Sequence, residues 1–119
     1  MATVVKRKLS ASTDGMAVKV SATSTPGTLI HTAVSGTTNG TYDEVWLWAY
    51  NGHTANVVLT IEFGGPTVPD QNIVVTIPFK VGLVPVVPGL ILQNGATVKA
   101  FAGTTNVITL SGFVNSMTD

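Results

Sequence analysis

The chain has 119 residues, a formal net charge of zero and no cysteine, and 45% of its residues are hydrophobic while only 10% are charged. This length predicts one domain. The lack of cysteine excludes disulfides and thiolate metal ligands, and the neutral charge argues against nucleic-acid binding, which needs a basic surface. Because so few charges cannot cover a small domain, we expect uncharged polar residues or another protein to cover the rest.

The first fifteen residues are mostly polar and are interpreted as an N-terminal arm, 1–15, ahead of a domain at 16–119. The arm carries a basic cluster at Lys6, Arg7 and Lys8. No apolar run follows this cluster, so we predict no signal peptide. The sequence is compatible with two conformations of the arm: a frayed terminus, or an edge strand that is added to a neighbouring sheet.

From residue 16 onward, short runs of Val, Ile, Thr and aromatic residues alternate with Gly, Pro and Asn, and no stretch has a helical period. The runs predict strands, in chain order, at 16–22, 28–34, 43–50, 55–63, 72–79, 90–93, 97–102 and 107–114, with 83–87 as a further extended segment. Turn-forming residues predict a hairpin at 51–54, a longer loop at 64–70 and tight reversals at 94–95 and 103–106. This spacing predicts an all-β, single-domain antiparallel β-sandwich, jelly-roll-like, with about eight strands.

Alternation along the predicted strands separates inward from outward side chains. In the fourth of them, Val57, Leu59 and Ile61 form an inward face and Glu62 lies on the opposite one. Pro78 has no N–H to donate to a neighbouring strand, so its strand is predicted to lie at a sheet edge or to end there. The pattern fits two layers of amphipathic sheet.

The strand that contains 45-VWLWAY-50 departs from this pattern, because neither of its faces is polar. Trp46, Trp48 and Tyr50 share one face, and small aliphatic side chains line the other. One face must meet the core, which leaves the other outside the sandwich. Three explanations are open for that outer face: a loop or the arm folds over it, a second subunit packs on it, or its aromatic rings stack on sugars.

The ionisable residues give little sign of catalysis. His31 lies in a predicted strand and is interpreted as a structural histidine, while Asp43 and Glu44 are adjacent on a strand and point to opposite faces, so they cannot act as a pair. No local motif for a nucleophile, a phosphate-binding loop or a metal site is present, although a Ser–His–Asp convergence in space stays open. We therefore predict no enzyme activity, no metal and no cofactor. The most apolar window, 81–92, is too short and too interrupted by proline to span a membrane.

Three segments, 43–65, 87–103 and 107–115, resemble the small β-rich virion proteins of tailed bacteriophages, and most nearly their capsid decoration (cement) proteins. The resemblance implies a β-sandwich, usually a homotrimer, that is made in the host cytoplasm and sits on the outer capsid surface where major capsid subunits meet. It also implies that the partners are further copies of this chain and the major capsid protein, and that the protein stabilises the shell without catalysis.

On this interpretation, Trp46, Trp48 and Tyr50 form the oligomer interface. The arm contacts the capsid through residues in and beside its basic cluster: Val4, Val5, Lys6, Arg7 and Lys8. Two other functions remain open. A carbohydrate-binding sandwich of a phage tail or surface adhesin would use the aromatic row to bind a glycan as a monomer, and a head–tail connector or tail-tube component would form larger rings.

Overall fold

The computed structural model describes residues 2–119, and this part of the chain forms nine strands and no helix. The strands are β1 Thr3–Lys8, β2 Val18–Val20, β3 Thr28–Thr32, β4 Tyr42–Asn51, β5 Val57–Phe63, β6 Asn72–Ile77, β7 Val84–Leu92, β8 Thr97–Ala102 and β9 Ile108–Thr118. They pair antiparallel in two sheets, which confirms the predicted all-β sandwich class.

Sheet A has the strand order β1-β9-β4-β7, and β2 pairs with a different stretch of the same strand β9. Sheet B has the order β3-β8-β5-β6. Within residues 2–119, β5 and β6 are the only consecutive strands that pair with each other. Apart from this hairpin and the link between β1 and β2, every connection between described strands crosses from one sheet to the other, which is typical of jelly-roll-like sandwiches.

The predicted hairpin at 51–54 is wrong, because β4 and β5 lie in different sheets. Turn-forming residues such as Asn51 and Gly52 specify that the chain reverses, but not which strands pair afterwards. Here the loop crosses the gap between the sheets, and the Gly52 N–H donates to the Val107 carbonyl at 2.9 Å. β4 pairs instead with β7 and β9, which come much later in the chain.

The core lies between the sheets and decides which face of β4 points inward. Val45, Leu47 and Ala49 are fully buried and share one hydrophobic cluster with Leu59 and Ile61 of β5. Burial alternates along the whole of β4. The aliphatic face of this strand therefore belongs to the core, and its aromatic face lies on the outside of sheet A.

Two edge strands are associated with proline. β6 ends directly before Pro78 and lies at the edge of sheet B, as predicted. The extended segments predicted at 83–87 and 90–93 form a single strand, β7, which contains Pro85 and Pro88 and has two register shifts against β4. Because proline donates no backbone hydrogen bond it is tolerated at an edge, and β7 is an edge of sheet A.

The N-terminal segment forms β1 against β9 of the same chain, in a register that runs from Thr3↔Thr118 to Lys8↔Phe113. All six residues of β1 are exposed. Leu9 follows directly and is only 1% exposed. An apolar side chain in the core therefore anchors one end of a strand that otherwise lies at the sheet edge.

Glu62 lies on the outward side of β5, as predicted, but it is buried rather than exposed. The loop before β3 covers it: Thr25 Oγ1 and the Gly27 N–H donate to its two carboxylate oxygens at 2.6 and 2.7 Å. Alternation along a strand cannot predict such a cover, because the covering residues come from a distant part of the chain.

Candidate functional site on the outer face of sheet A

The outer face of sheet A gathers four aromatic side chains, which we call the aromatic face: Trp46, Trp48, Tyr50 and Phe113. β4 contributes the first three, because its alternate side chains point away from the core. β9 contributes Phe113, which lies directly opposite Trp46 in the antiparallel register. All four side chains are half-buried. The predicted row of three is therefore part of a larger patch, and only the strand pairing reveals its fourth member.

Two indoles and one phenyl ring of the aromatic face form a compact cluster. The ring centroids of Trp46 and Trp48 are 6.4 Å apart, and the Phe113 centroid lies 6.3 Å from Trp46 and 6.0 Å from Trp48. The three pairs of ring planes are inclined by 17°, 19° and 29°. Gly89 of β7 makes room for the cluster, since a Cβ at that position would come within 2.7 Å of the Trp46 ring. The rings are thus held in one arrangement by mutual contact.

A polar network borders the aromatic face beside Trp46. Glu44 Oε1 accepts hydrogen bonds from Trp46 Nε1 at 2.7 Å and from Asn115 Nδ2 at 3.0 Å. Because these bonds favour the ionised carboxylate, Asn115 first and Trp46 second lower the pKa of Glu44 below its ordinary value. The indole N–H of Trp46 is therefore satisfied within the chain.

The register of β1 divides the predicted capsid-contact residues between the two sides of sheet A. Antiparallel partners share a face, so Val4, Lys6 and Lys8, which pair with outward residues of β9, lie on the same side as the aromatic face. Val5 and Arg7 lie on the opposite side. The structure therefore brings only part of the predicted arm site to the predicted oligomer interface.

The arm does not fold across the aromatic face. β1 is hydrogen-bonded into sheet A on the side of β9 that faces away from β4. Its Lys6 side chain reaches one ring, with Nζ 4.4 Å from the Phe113 centroid, a distance suited to a cation–π contact. The explanation that the arm folds over the aromatic face is therefore wrong.

His31 and Asp43 form a buried pair between the sheets. His31 Nε2 lies 2.7 Å from Asp43 Oδ2, and the Ser10 N–H donates to His31 Nδ1 at 3.0 Å. Because Nδ1 accepts a hydrogen bond, the ring proton is on Nε2, which donates to the carboxylate. Neither nitrogen is free to take a proton from a hydroxyl nucleophile, as a catalytic triad requires. His31 is a structural histidine, as predicted.

Comparison with protein-family models, with curated proteins and with solved structures returned no match. In the described part of the chain, no three acidic or histidine side chains converge to hold a metal ion. Residues 2–119 also include no helix long and apolar enough to cross a membrane. The aromatic face, with three closely spaced rings on the outside of sheet A, is the candidate functional surface on geometric grounds.

Proposed function

We propose that this protein is a non-enzymatic virion structural protein: a capsid decoration protein that self-associates, as a trimer, through the aromatic face and stabilises the shell to which it binds. The observation that carries the proposal is the cluster of Trp46, Trp48 and Phe113 on the outside of a sheet whose inner face already forms the core. A sheet needs only one apolar face to build a sandwich. The second apolar face therefore serves contact with another molecule.

The composition of the aromatic face matches the centre of a protein–protein interface. Interface centres are enriched in Trp, Tyr and Phe, and the residues that dominate binding energy are often aromatic. Burial of apolar surface contributes about 25 cal/mol per Å² before the costs of association are subtracted. Because the rings already pack against one another, they lose little side-chain entropy on association. These properties favour a subunit contact.

The proposal divides the surface between two partners. Lys6 lies beside the aromatic face, where it supplies part of the charged rim that surrounds an apolar interface centre. Val5 and Arg7 are exposed on the other side of β1. The aromatic face is assigned to contact between subunits, and the exposed edge strand β1 to contact with the major capsid protein.

A specific observation favours glycan binding as a second candidate function. The rings of Trp46, Trp48 and Phe113 lie within 29° of parallel on one sheet face, and aromatic rings in such an array can stack on sugar rings. Glu44 and Asn115 at the border carry groups that can bond sugar hydroxyls. This function requires a monomer whose aromatic face stays open.

The test of the proposal is co-sedimentation of the protein with empty shells of the major capsid protein from the same genome. We expect the wild-type protein to bind to a saturating ratio and Trp48→Ser to lose most of the binding, because a variant that cannot form the trimer loses the avidity of three capsid contacts. Val74→Ser is a matched control, since Val74 is 62% exposed on the outer face of sheet B. A wild-type protein that leaves the shells unbound would contradict the decoration function. Saturable quenching of its Trp fluorescence by soluble glycans would instead support the second candidate.

A further inference from the structure

A cleft of about 290 Å³ lies away from the aromatic face, where β3 approaches β1, β9 and the start of β4. Its lining includes two exposed cations, Arg7 and Lys8, one buried acid, Asp43, and the hydroxyl groups of Ser10, Thr32, Ser116 and Thr118. A cleft with this volume is at the lower end of the sizes found for small-molecule sites, which begin near about 300 Å³. It can hold a ligand of about one sugar ring.

Asp43 has one carboxylate oxygen without a hydrogen-bond partner. Its Oδ2 accepts from His31 Nε2 at 2.7 Å and from the Val34 N–H at 3.2 Å. Its Oδ1 belongs to a side chain that is only 5% exposed. This oxygen is buried and has no hydrogen-bond partner among the described residues. Leaving a buried acceptor unsatisfied is unfavourable, so native proteins almost always complete such atoms with a ligand, a protein group or an ordered water.

The neighbours of Asp43 do not supply the missing donor. His31 is held from both sides, because the Ser10 N–H fixes its Nδ1 and its Nε2 already donates to Oδ2. Ser116 is the cross-strand neighbour of Asp43, and its side chain makes no hydrogen bond to Oδ1. Both ring nitrogens of His31 are therefore occupied, and Oδ1 is left as an unpaired acceptor beside the cleft that Asp43 lines.

We propose that this cleft binds an acidic sugar, with the sugar carboxylate bound by Arg7 and a sugar hydroxyl donating to Asp43 Oδ1, which a small shift of the covering side chains exposes. The surrounding hydroxyls of Ser10, Thr32 and Thr118 match the remaining hydroxyls of such a ligand, since each can both donate and accept. A divalent cation fits the cleft poorly, because the lining holds one carboxylate and two cations. This site is separate from the aromatic face and shares Arg7 with the proposed capsid contact.

The test is a titration of the intact protein with D-glucuronate, followed by ¹H–¹⁵N NMR, with D-glucose as the uncharged probe at the same ionic strength. We expect saturable shifts for the backbone amides of Ser10, Thr32, Ser116 and Thr118 with glucuronate, and much weaker binding of glucose. Arg7→Gln is expected to weaken glucuronate binding about tenfold, because it removes a charge-assisted hydrogen bond. Lys99→Gln, a cation of β8 outside this cleft, is the matched control and leaves the affinity unchanged.

Three results would overturn the proposal: no saturable shift with glucuronate, equal affinity for glucose, or an unchanged affinity in Arg7→Gln. Asp43→Asn tests the unpaired oxygen itself and is expected to abolish binding while the chain stays folded. Where Asp43→Asn fails to fold, the exposed Arg7 decides the outcome, since its substitution does not disturb the core.

Discussion

Two adjacent acids on β4 have different surroundings because successive side chains of a strand point to opposite faces. Asp43 points inward and pairs with His31, whereas Glu44 points outward and accepts bonds from Asn115 and Trp46. The sequence predicts that the two acids lie on opposite faces. It cannot predict their partners, because His31 and Asn115 come from other strands whose register is fixed only in the folded sheets.

The first prediction at this scale concerns the acid beside the aromatic face. Hydrogen bonds to the ionised form lower the pKa of Glu44, so its contribution to stability is present at neutral pH and is lost as the pH falls through its folded-state pKa. Asn115→Ala removes the larger cause and should raise the pKa of Glu44 toward its ordinary value, as followed by NMR titration of the side-chain carboxyl. Ser111→Ala, elsewhere on the same face, is the control. An unchanged pKa in Asn115→Ala would show that the bond is absent in solution.

The second prediction compares the two histidines of the chain. His31→Ala removes a donor to a buried carboxylate and should lower the free energy of unfolding by about 3 kcal/mol. His53→Ala is the matched control, because the hydrogen bond of His53 to Asn51 uses its backbone N–H, and we expect a change within about 0.5 kcal/mol. Urea denaturation measures both. Similar losses in the two variants would mean that the buried pair contributes little.

At the scale of the element, the alternation of apolar and polar residues predicts the range and the two faces of a strand better than it predicts which strands lie beside it. β5 and β8 lie within their predicted ranges, and the two faces of β4 are composed as predicted. Pairing fails at 51–54, where a reversal of the chain was equally compatible with a hairpin and with a crossing between sheets. Phe113 joins the aromatic face only through the register of β4 and β9, which local sequence does not encode.

The third prediction tests the contact between β7 and the aromatic face. Gly89 and Gly82 both have positive φ, 77° and 87°, but a Cβ meets the Trp46 ring only at Gly89 and meets nothing within 4 Å at Gly82. Gly82→Ala should therefore show only the backbone penalty, about 1 kcal/mol. Gly89→Ala should lower the unfolding free energy by at least about 1 kcal/mol more and change the Trp emission spectrum, because the ring must move. Equal effects in thermal and fluorescence measurements would refute the contact.

At the scale of the whole molecule, the sandwich has a complete core and a second apolar surface on the outside of sheet A. The composition already indicates such a surplus, because 45% of the residues are hydrophobic and only 10% are charged. Which face is left over is decided by the pairing of β4 between β7 and β9, so only the fold reveals it. The partner proposed for that face cannot be predicted from this sequence, because one chain does not specify the geometry of other molecules.

The measurement that tests this account most directly is the solution mass, obtained by light scattering after size-exclusion chromatography, of the wild-type protein and of Trp48→Ser. The account predicts a wild-type mass about three times the chain mass of 12.3 kDa, and a folded Trp48→Ser of single-chain mass, because Trp48 lies outside the core. Val74→Ser should keep the wild-type mass. A folded wild-type monomer, or a Trp48→Ser variant that unfolds, would contradict the assignment of the aromatic face to subunit contact.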